Sequence, residues 1–173
     1  MPEFLTHWLA QYGSLALFAI MALGIVGLPI PEESTLVFAG VLVYRGHLEP
    51  GSAIAAAFLG SACGISVSYL LGRTLGLRLV KRYGGWLHVT PDSIERAHVR
   101  FEEVGRWALM VGYFLPGIRH LTAIAAGTTR LEYPDFALFA YAGALVWSFS
   151  FVSLGVVVGH QWMRVAEQIH DNL

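Results

Sequence analysis

The stretch Gly112-Tyr-Phe-Leu-Pro-Gly-Ile-Arg-His-Leu121 decides how this chain folds. The flanking segments 107–115 and 121–129 each hold nine uncharged residues, too few for a helix to cross a hydrocarbon core of about 30 Å. The proline lacks a backbone donor and the glycine tolerates turn geometry, so a helix is expected to break here. The stretch therefore predicts a re-entrant hairpin with the positive charge of Arg119 at its bend.

The composition is that of an integral membrane protein. The 173 residues are 55% hydrophobic and 13% charged, with a mean hydropathy of +0.58, whereas soluble domains carry about 25% charged residues. This length predicts a single membrane domain over residues 1–173. With a net charge of -1 and no basic stripe, no nucleic-acid partner is expected. Cys63 is the only cysteine, which excludes an internal disulfide and a thiolate metal site.

A second broken hairpin is predicted earlier in the chain, over residues 13–44. Its first arm, 13–28, has 16 uncharged residues and is about 24 Å long as a helix, marginal for a crossing. Its second arm, 36–44, has nine residues and cannot span. Two prolines at alternate positions force an extended turn between the arms. The acids Glu32 and Glu33 follow this turn, as Arg119 follows the other one.

Two longer uncharged runs predict membrane-spanning helices. They are 53–71, with 19 residues, and 136–158, with 23 residues. Interfacial amphipathic helices are predicted at 2–11 and after Thr90. The segment 73–106 carries seven of the eleven Lys and Arg residues and is therefore expected to be cytoplasmic.

The order of these elements predicts an internal repeat. An amphipathic helix, a broken hairpin and a span occur in residues 2–72, and again in 73–160 after the basic connector, leaving a polar tail at 161–173. An odd number of crossings separates the halves, so the second copy is expected to be inverted. The fold class is therefore an all-α membrane protein built as an inverted repeat of re-entrant hairpin plus transmembrane helix.

Inverted repeats with discontinuous helices are typical of secondary transporters, whose sites lie near the bilayer midplane. If the two hairpin tips meet, Glu32 or Glu33 faces Arg119, and such a buried pair is usually functional. The alternative is that each hairpin is two ordinary spans joined by a solvated turn. It requires four separate segments to be unusually short.

Residues 27–40, 112–127 and Tyr133-Pro-Asp-Phe136 together resemble the bacterial DedA family, also called SNARE-associated Golgi or VTT-domain proteins. The similarity covers nearly the whole chain. It implies a non-enzymatic lipid translocase of the bacterial inner membrane. Such a protein moves undecaprenyl phosphate, or a phospholipid such as phosphatidylethanolamine, between leaflets and is coupled to a proton or sodium gradient.

The resemblance also implies site residues. The family's acid after the Pro-x-Pro turn falls on Glu33, with Glu32 beside it, and the family's second arginine falls on Arg119. The chain departs from the pattern at Tyr113, where some members have an arginine, and at Gly24, where some have an earlier acid. Glu32 is the candidate substitute for that missing acid.

The mechanism expected from these residues is an exchange of partners. The planar fork of Arg119 suits a phosphate, and helix N-termini at Ser34–Thr35 and at 121–122 add N–H donors. Glu33 binds Arg119 in the empty site, and protonation of Glu33 frees it. The candidate binding and coupling residues are therefore Glu32, Glu33, Ser34, Thr35, Tyr113, Arg119 and His120.

No catalytic residue, metal site or cofactor is expected, because no His, Asp and Glu set has metal-ligand spacing. The expected partners are membrane lipids, the lipid substrate and protons or sodium ions, with homo-oligomerisation left open. Three alternatives remain: a lipid phosphatase with His120 as base, an ion-coupled transporter of small polar solutes, and a membrane-homeostasis factor without substrate.

Overall fold

The computed structural model describes residues 12–24, 31–87, 105–115 and 118–171. These ranges are helical and contain no strand, which confirms the all-α prediction. The predicted interfacial helices at 2–11 and after Thr90 lie outside them. The helices are α1 (Ser14–Leu23), α2 (Glu32–Tyr44), α3 (Pro50–Leu87), α4 (Gly105–Gly112), α5 (Ile118–Thr128) and α6 (Tyr133–Asp171).

The two long helices, α3 and α6, contain the segments that are long and apolar enough to cross a membrane. These are Pro50–Leu75, with 26 residues, and Tyr133–Gln161, with 29. They include the runs predicted as spans. Both helices continue beyond these apolar segments, α3 to Leu87 and α6 to Asp171. α1, α2, α4 and α5 are all shorter than 14 residues.

The predicted starts of α2 and α5 are both wrong. The N-terminus of α5 was expected at 121–122, but α5 begins at Ile118. A helix N-terminus was expected at Ser34–Thr35, before the arm at 36–44, because both residues are good N-caps, but α2 begins at Glu32 and its N-cap is Pro31. Thr35 lies inside the helix, where its hydroxyl donates to the carbonyl of Pro31 at 3.1 Å. Proline has no N–H to leave unsatisfied at a helix start, and acids in the first turn suit its positive end. At about 20 Å, the 13-residue α2 is still too short to span.

α2 and α5 end in the same way. A residue with positive φ follows each helix, Gly46 at 74° after α2 and Arg130 at 58° after α5. The next N–H donates to the carbonyl five positions earlier, at 2.9 Å in α2 and 3.0 Å in α5. This is the Schellman pattern, which satisfies the last carbonyls of a helix. Arg130 adopts this conformation without the freedom of glycine, which the pattern normally uses.

The described helices fall into two compact units. The first unit contains α1, α2, the start of α3 up to Ser61 and the end of α6 from Val146. The second unit, Ala62–Leu145, contains α4, α5 and the remaining parts of α3 and α6. Each long helix therefore contributes to both units.

Glycines set the helix packing in the first unit. α2 meets α6 at Gly40 and Gly155, where a Cβ on either glycine would overlap a backbone carbonyl of the other helix. A Cβ on Gly40 would also lie 2.8 Å from the Cα of Gly155. α1 meets α3 at Gly60, where a Cβ would overlap the carbonyl of Phe18. The helix backbones touch directly, as small-residue contacts in membranes allow.

The second unit repeats this arrangement with other residues. α5 meets α3 at Gly127 and Gly72, and a Cβ on either would again overlap a carbonyl of the other helix. α4 meets α6 at Gly143, where a Cβ would lie 2.9 Å from the ring of Tyr113. In α3 and in α6 the two packing glycines stand the same distance apart in sequence. α3 therefore contacts α1 at one glycine and α5 at the other, and α6 contacts α4 at one glycine and α2 at the other.

Candidate functional site

Arg119 is buried at the start of α5. Only 5% of its surface is exposed, and it stands in the first turn of a helix that begins at Ile118. Its guanidinium carbon lies 5.6 Å from the ring centroid of Tyr113, which is 1% exposed in the turn after α4. This distance allows a cation–π contact. Arg119 is therefore buried inside the protein. That this end of α5 is the tip of a re-entrant hairpin stays a prediction.

His120 links Arg119 to α3. The Nε of Arg119 donates to Nε2 of His120 at 3.4 Å, and Nδ1 of His120 lies 2.8 Å from the hydroxyl of Ser68. That hydroxyl donates to the carbonyl of Gly64 at 3.2 Å. If Nε2 accepts from Arg119, Nδ1 carries the proton and donates to Ser68, which completes a directed chain of donors. These hydrogen bonds fix the orientation of the His120 ring relative to the guanidinium of Arg119.

Ser68 is a functional candidate that the sequence did not single out. In the sequence it belongs to a series of small residues that predict helix packing. The structure buries Ser68 completely on α3, opposite His120. Only the rotation of α3 against α5 distinguishes it from the other small residues, and no sequence pattern gives that rotation.

The electrostatics at this end of α5 favour an anion. The first N–H groups of a helix carry the positive end of its dipole, and Arg119 adds a full charge beside them. Burial strengthens both effects because water screens them less. The fork of a guanidinium also matches two oxygens of one phosphate or carboxylate. The arrangement can therefore hold a phosphate group or a carboxylate.

The carboxylate of Glu32 occupies space beside Gly24, at the end of α1. A Cβ on Gly24 would overlap Oε1 of Glu32 and would lie 3.3 Å from its Oε2. A side chain at position 24 and the Glu32 carboxylate therefore exclude each other. Glu33 is half-buried and Ser34 is exposed on the first turn of α2.

The structure groups the predicted residues by unit. Tyr113, Arg119 and His120 come together in the second unit. The remaining predicted residues stand at the start of α2 in the first unit; they are Glu32, Glu33, Ser34 and Thr35. The pairing of Arg119 with Glu32 or Glu33 joins residues of different units and stays a prediction. Within the described part of the chain, no group of three His, Cys, Asp or Glu residues could hold a metal ion.

A second polar cluster in the second unit fixes the turn between α5 and α6. The hydroxyl of Tyr69 donates to the carbonyl of Leu131 at 2.5 Å, and Arg73 donates to both groups. The ring of Tyr69 stacks on Phe136 with centroids 4.3 Å apart. These hydrogen bonds connect α3 to the carbonyl of Leu131 in the turn. They account for Tyr69 and Arg73 as structural residues that hold α5 in place.

Comparisons with known proteins place these features in a family. Residues 30–157 match the VTT domain. The uncharacterized membrane protein YbfM of Bacillus subtilis is 33% identical over 91% of this chain and 97% of its own length. Undecaprenyl phosphate transporter A of Staphylococcus aureus is 26% identical over 98% of this chain and 86% of its own. An alkaline phosphatase-like protein of Lactococcus lactis is 30% identical over 96% of this chain and 80% of its own length. No solved structure gives a significant match.

Proposed function

The chain belongs to the VTT-domain, or DedA, family of membrane proteins, and from that premise we propose that it moves a phosphate-headed lipid between the leaflets of the bacterial inner membrane. The observation that carries the proposal is Arg119, a buried guanidinium beside the first turn of α5. Two relatives of the chain are named undecaprenyl phosphate transporter A. The substrate is undecaprenyl phosphate or a phospholipid such as phosphatidylethanolamine.

The proposed architecture is one membrane domain made of two inverted repeats. α1 with α2, and α4 with α5, form the re-entrant hairpins, while α3 and α6 cross the bilayer. The repeats cover about 2–72 and 73–160, with the basic segment 73–106 on the cytoplasmic side. The matching glycine contacts and the matching ends of α2 and α5 support this repeat.

In the proposed mechanism, Arg119 binds the phosphate while the lipid chain stays in the hydrocarbon. The N–H groups at the start of α5 add donors to the same oxygens. Tyr113 and His120 hold the guanidinium in place, so less conformational entropy is lost when the phosphate binds. No covalent intermediate is needed, because the head moves by exchange of ionic partners.

The acids of α2 are the proposed coupling groups. Glu33 or Glu32 neutralises Arg119 when the site is empty, and a proton or sodium ion taken up by the acid frees the arginine for phosphate. Because α2 begins at Glu32, its first N–H groups lie at the acids themselves. Thr35 donates to Pro31 and contributes to the shape of this turn.

The test is a leaflet-sidedness assay in proteoliposomes, offering each lipid with and without a pH gradient. The proposal expects protein-dependent movement of at least one phosphate-headed lipid, accelerated by the gradient. Unchanged lipid distribution with every lipid would overturn it and favour a membrane-homeostasis factor.

The alkaline phosphatase-like name of two relatives makes a lipid phosphatase the second candidate. That activity would release inorganic phosphate from the lipid and would be lost in a His120→Ala variant. Phosphate release and lipid movement are measured separately in the same vesicles. Uptake of a small polar solute into vesicles that show neither activity would instead favour an ion-coupled solute transporter.

A further inference from the structure

Two shallow cavities lie between α2 and α6 in the first unit. The larger, of about 460 Å³, has Glu33 and Ser34 at one end and an apolar wall. The smaller, of about 180 Å³, is lined by Val158 and Gly159 and has Arg45 at its end. Val41 lines both cavities. The two cavities are therefore adjacent, and together they are here called the α2–α6 groove.

The groove follows one face of α2. Ser34, Phe38, Val41 and Arg45 are separated by four, three and four residues, which places them in a single stripe on a helix. From Ser34 to Arg45 the stripe is about 17 Å long. Its start is polar and acidic, its middle is apolar, and its end is basic.

The opposite wall belongs to α6. Phe151 lines the larger cavity and Val158 the smaller one, and their spacing of seven residues keeps them on one helix face. The helices touch at Gly40 and Gly155. Each of these glycines stands in sequence between groove-lining residues of its own helix.

The residues that line the groove in the first unit differ from those at the matching positions of the second unit. Seven residues before the packing glycine stands Glu33 in α2 but His120 in α5. Four residues before the opposing glycine stands Phe151 in α6 but Ser68 in α3. His120 and Ser68 are joined at 2.8 Å, whereas Glu33 and Phe151 line an open cavity. The groove is therefore a product of these side chains and not of helix packing alone.

We propose that the α2–α6 groove binds one hydrocarbon chain of a phosphate-headed lipid, with the phosphate on Arg45. Arg45 is exposed at the polar turn after α2, where a guanidinium suits a phosphate at the membrane surface. Bilayer lipids point their chains from the surface towards the midplane. In the proposed architecture the groove has the same direction as such a lipid chain, from Arg45 at the membrane surface to the hairpin turn. The inference takes the lipid class from the proposed function and adds a docking site distinct from Arg119.

The test is photo-crosslinking of the full chain reconstituted in vesicles of digalactosyldiacylglycerol, a lipid without phosphate that does not compete with the probes for Arg45. The probes are phosphatidic acid, phosphatidylethanolamine and diacylglycerol, each with a diazirine in one acyl chain. Adducts mapped by mass spectrometry are expected at residues 37–41 and 151–158 with the phosphate-bearing probes. A preference between the first two probes distinguishes a phosphate monoester head from a phosphodiester head.

Arg45→Gln should lower the adduct yield of the phosphate-bearing probes about fivefold, from the attraction of one arginine at a membrane surface. Arg130→Gln, which removes the exposed arginine after α5, is the matched control and should leave the yield unchanged. Val41→Trp, which fills the groove where the cavities meet, should lower the yield with all probes. Leu138→Trp, at a residue 66% exposed in the second unit, should not.

Equal adduct maps and yields for diacylglycerol and phosphatidic acid would overturn the docking site, since they indicate ordinary boundary lipid. Wild-type yields in both Arg45→Gln and Val41→Trp would overturn it as well. Crosslinking requires no lipid movement. Arg45-dependent adducts on a protein that moves no lipid would therefore keep the docking site and reject the proposed function.

Discussion

The Glu32 side chain fits beside α1 because position 24 is a glycine and has no side chain. The Glu32 carboxylate lies where a side chain at position 24 would begin. The family resemblance implies that some members carry an acid at that position. The chain has instead a glycine there and a second acid after the Pro-x-Pro turn. We therefore expect Glu32 to supply the charge that an acid at 24 supplies elsewhere.

Gly24→Ala should impair lipid movement about tenfold, because the added Cβ displaces a partly buried carboxylate. Adding Glu32→Asp, whose carboxylate is one methylene shorter, should restore part of the rate. The measurement is lipid movement in proteoliposomes with equal amounts of folded protein. A Gly24→Ala protein with wild-type activity would remove Glu32 from the site.

Ser68 is the residue-scale test of how Arg119 is positioned. Ser68→Ala removes the partner of His120 Nδ1, so the His120 ring loses its fixed orientation against Arg119. The apparent KM for lipid should rise about fivefold, the usual effect of one hydrogen bond. Ser150→Ala is the control, since that exposed hydroxyl donates only to its own helix at 2.7 Å. An unchanged KM in Ser68→Ala would contradict the positioning role.

At the scale of helices, the sequence predicted which helices are long and which are short, but it did not predict where α2 begins. Uncharged run lengths predicted the two long helices and the short arms, because burial in lipid requires uninterrupted apolar residues. The start of α2 was misplaced because Ser34 and Thr35 are good capping residues in isolation. Pro31 and the two acids compete for the same role and begin the helix earlier. Gly40 and Gly127 could not be selected by sequence, because their role depends on which helix crosses there.

Gly40→Ala should destabilise the first unit, because its Cβ would overlap backbone and no side chain can move aside. The expected loss is about 1–3 kcal/mol of unfolding free energy. Gly127→Ala should have a similar effect in the second unit. Gly112→Ala is the milder control, since its Cβ would meet the side chain of Thr122 at 3.3 Å. Thermal unfolding in detergent measures all three, and equal stabilities would contradict the packing account.

We expect the stability of the start of α3 to depend on pH through Glu49. The carboxylate of Glu49 accepts N–H bonds from Ser52 at 2.6 Å and Gly51 at 3.1 Å. These bonds lower the pKa of Glu49 below its ordinary value of 4.5. A depressed folded-state pKa means that the cap stabilises α3 above pH 4.5 and is lost as the pH falls through the lowered pKa.

Amide hydrogen exchange at residues 51–53, corrected for intrinsic rates, should therefore show less protection in acid for the wild type. Glu49→Gln should show the lower protection at every pH, with no acid-dependent step. A Glu49→Gln protein with the same pH dependence as the wild type would assign the effect to another group.

For the whole molecule, the distribution of charged candidates between the units is the central feature. The acids stand in the first unit, and Arg119 stands in the second. The sequence singled out both sets of charges, because each stands close to proline in an apolar run. The hairpin turns themselves lie mostly outside the described residues, at 25–30 and 116–117, and stay a prediction. The sequence could not predict that each long helix serves both units. That arrangement depends on glycines twelve residues apart in α3 and α6, at 60 and 72 and at 143 and 155.

The most direct test of the account is the rate of polyprenyl phosphate movement between leaflets for wild-type and Arg119→Lys proteins in the same vesicles. Lysine keeps the charge but loses the planar fork, so the rate should fall about tenfold or more. Arg130→Lys, at an exposed position, should match the wild type and controls for reconstitution. Movement by Arg119→Lys at the wild-type rate would contradict the claim that this guanidinium holds the phosphate.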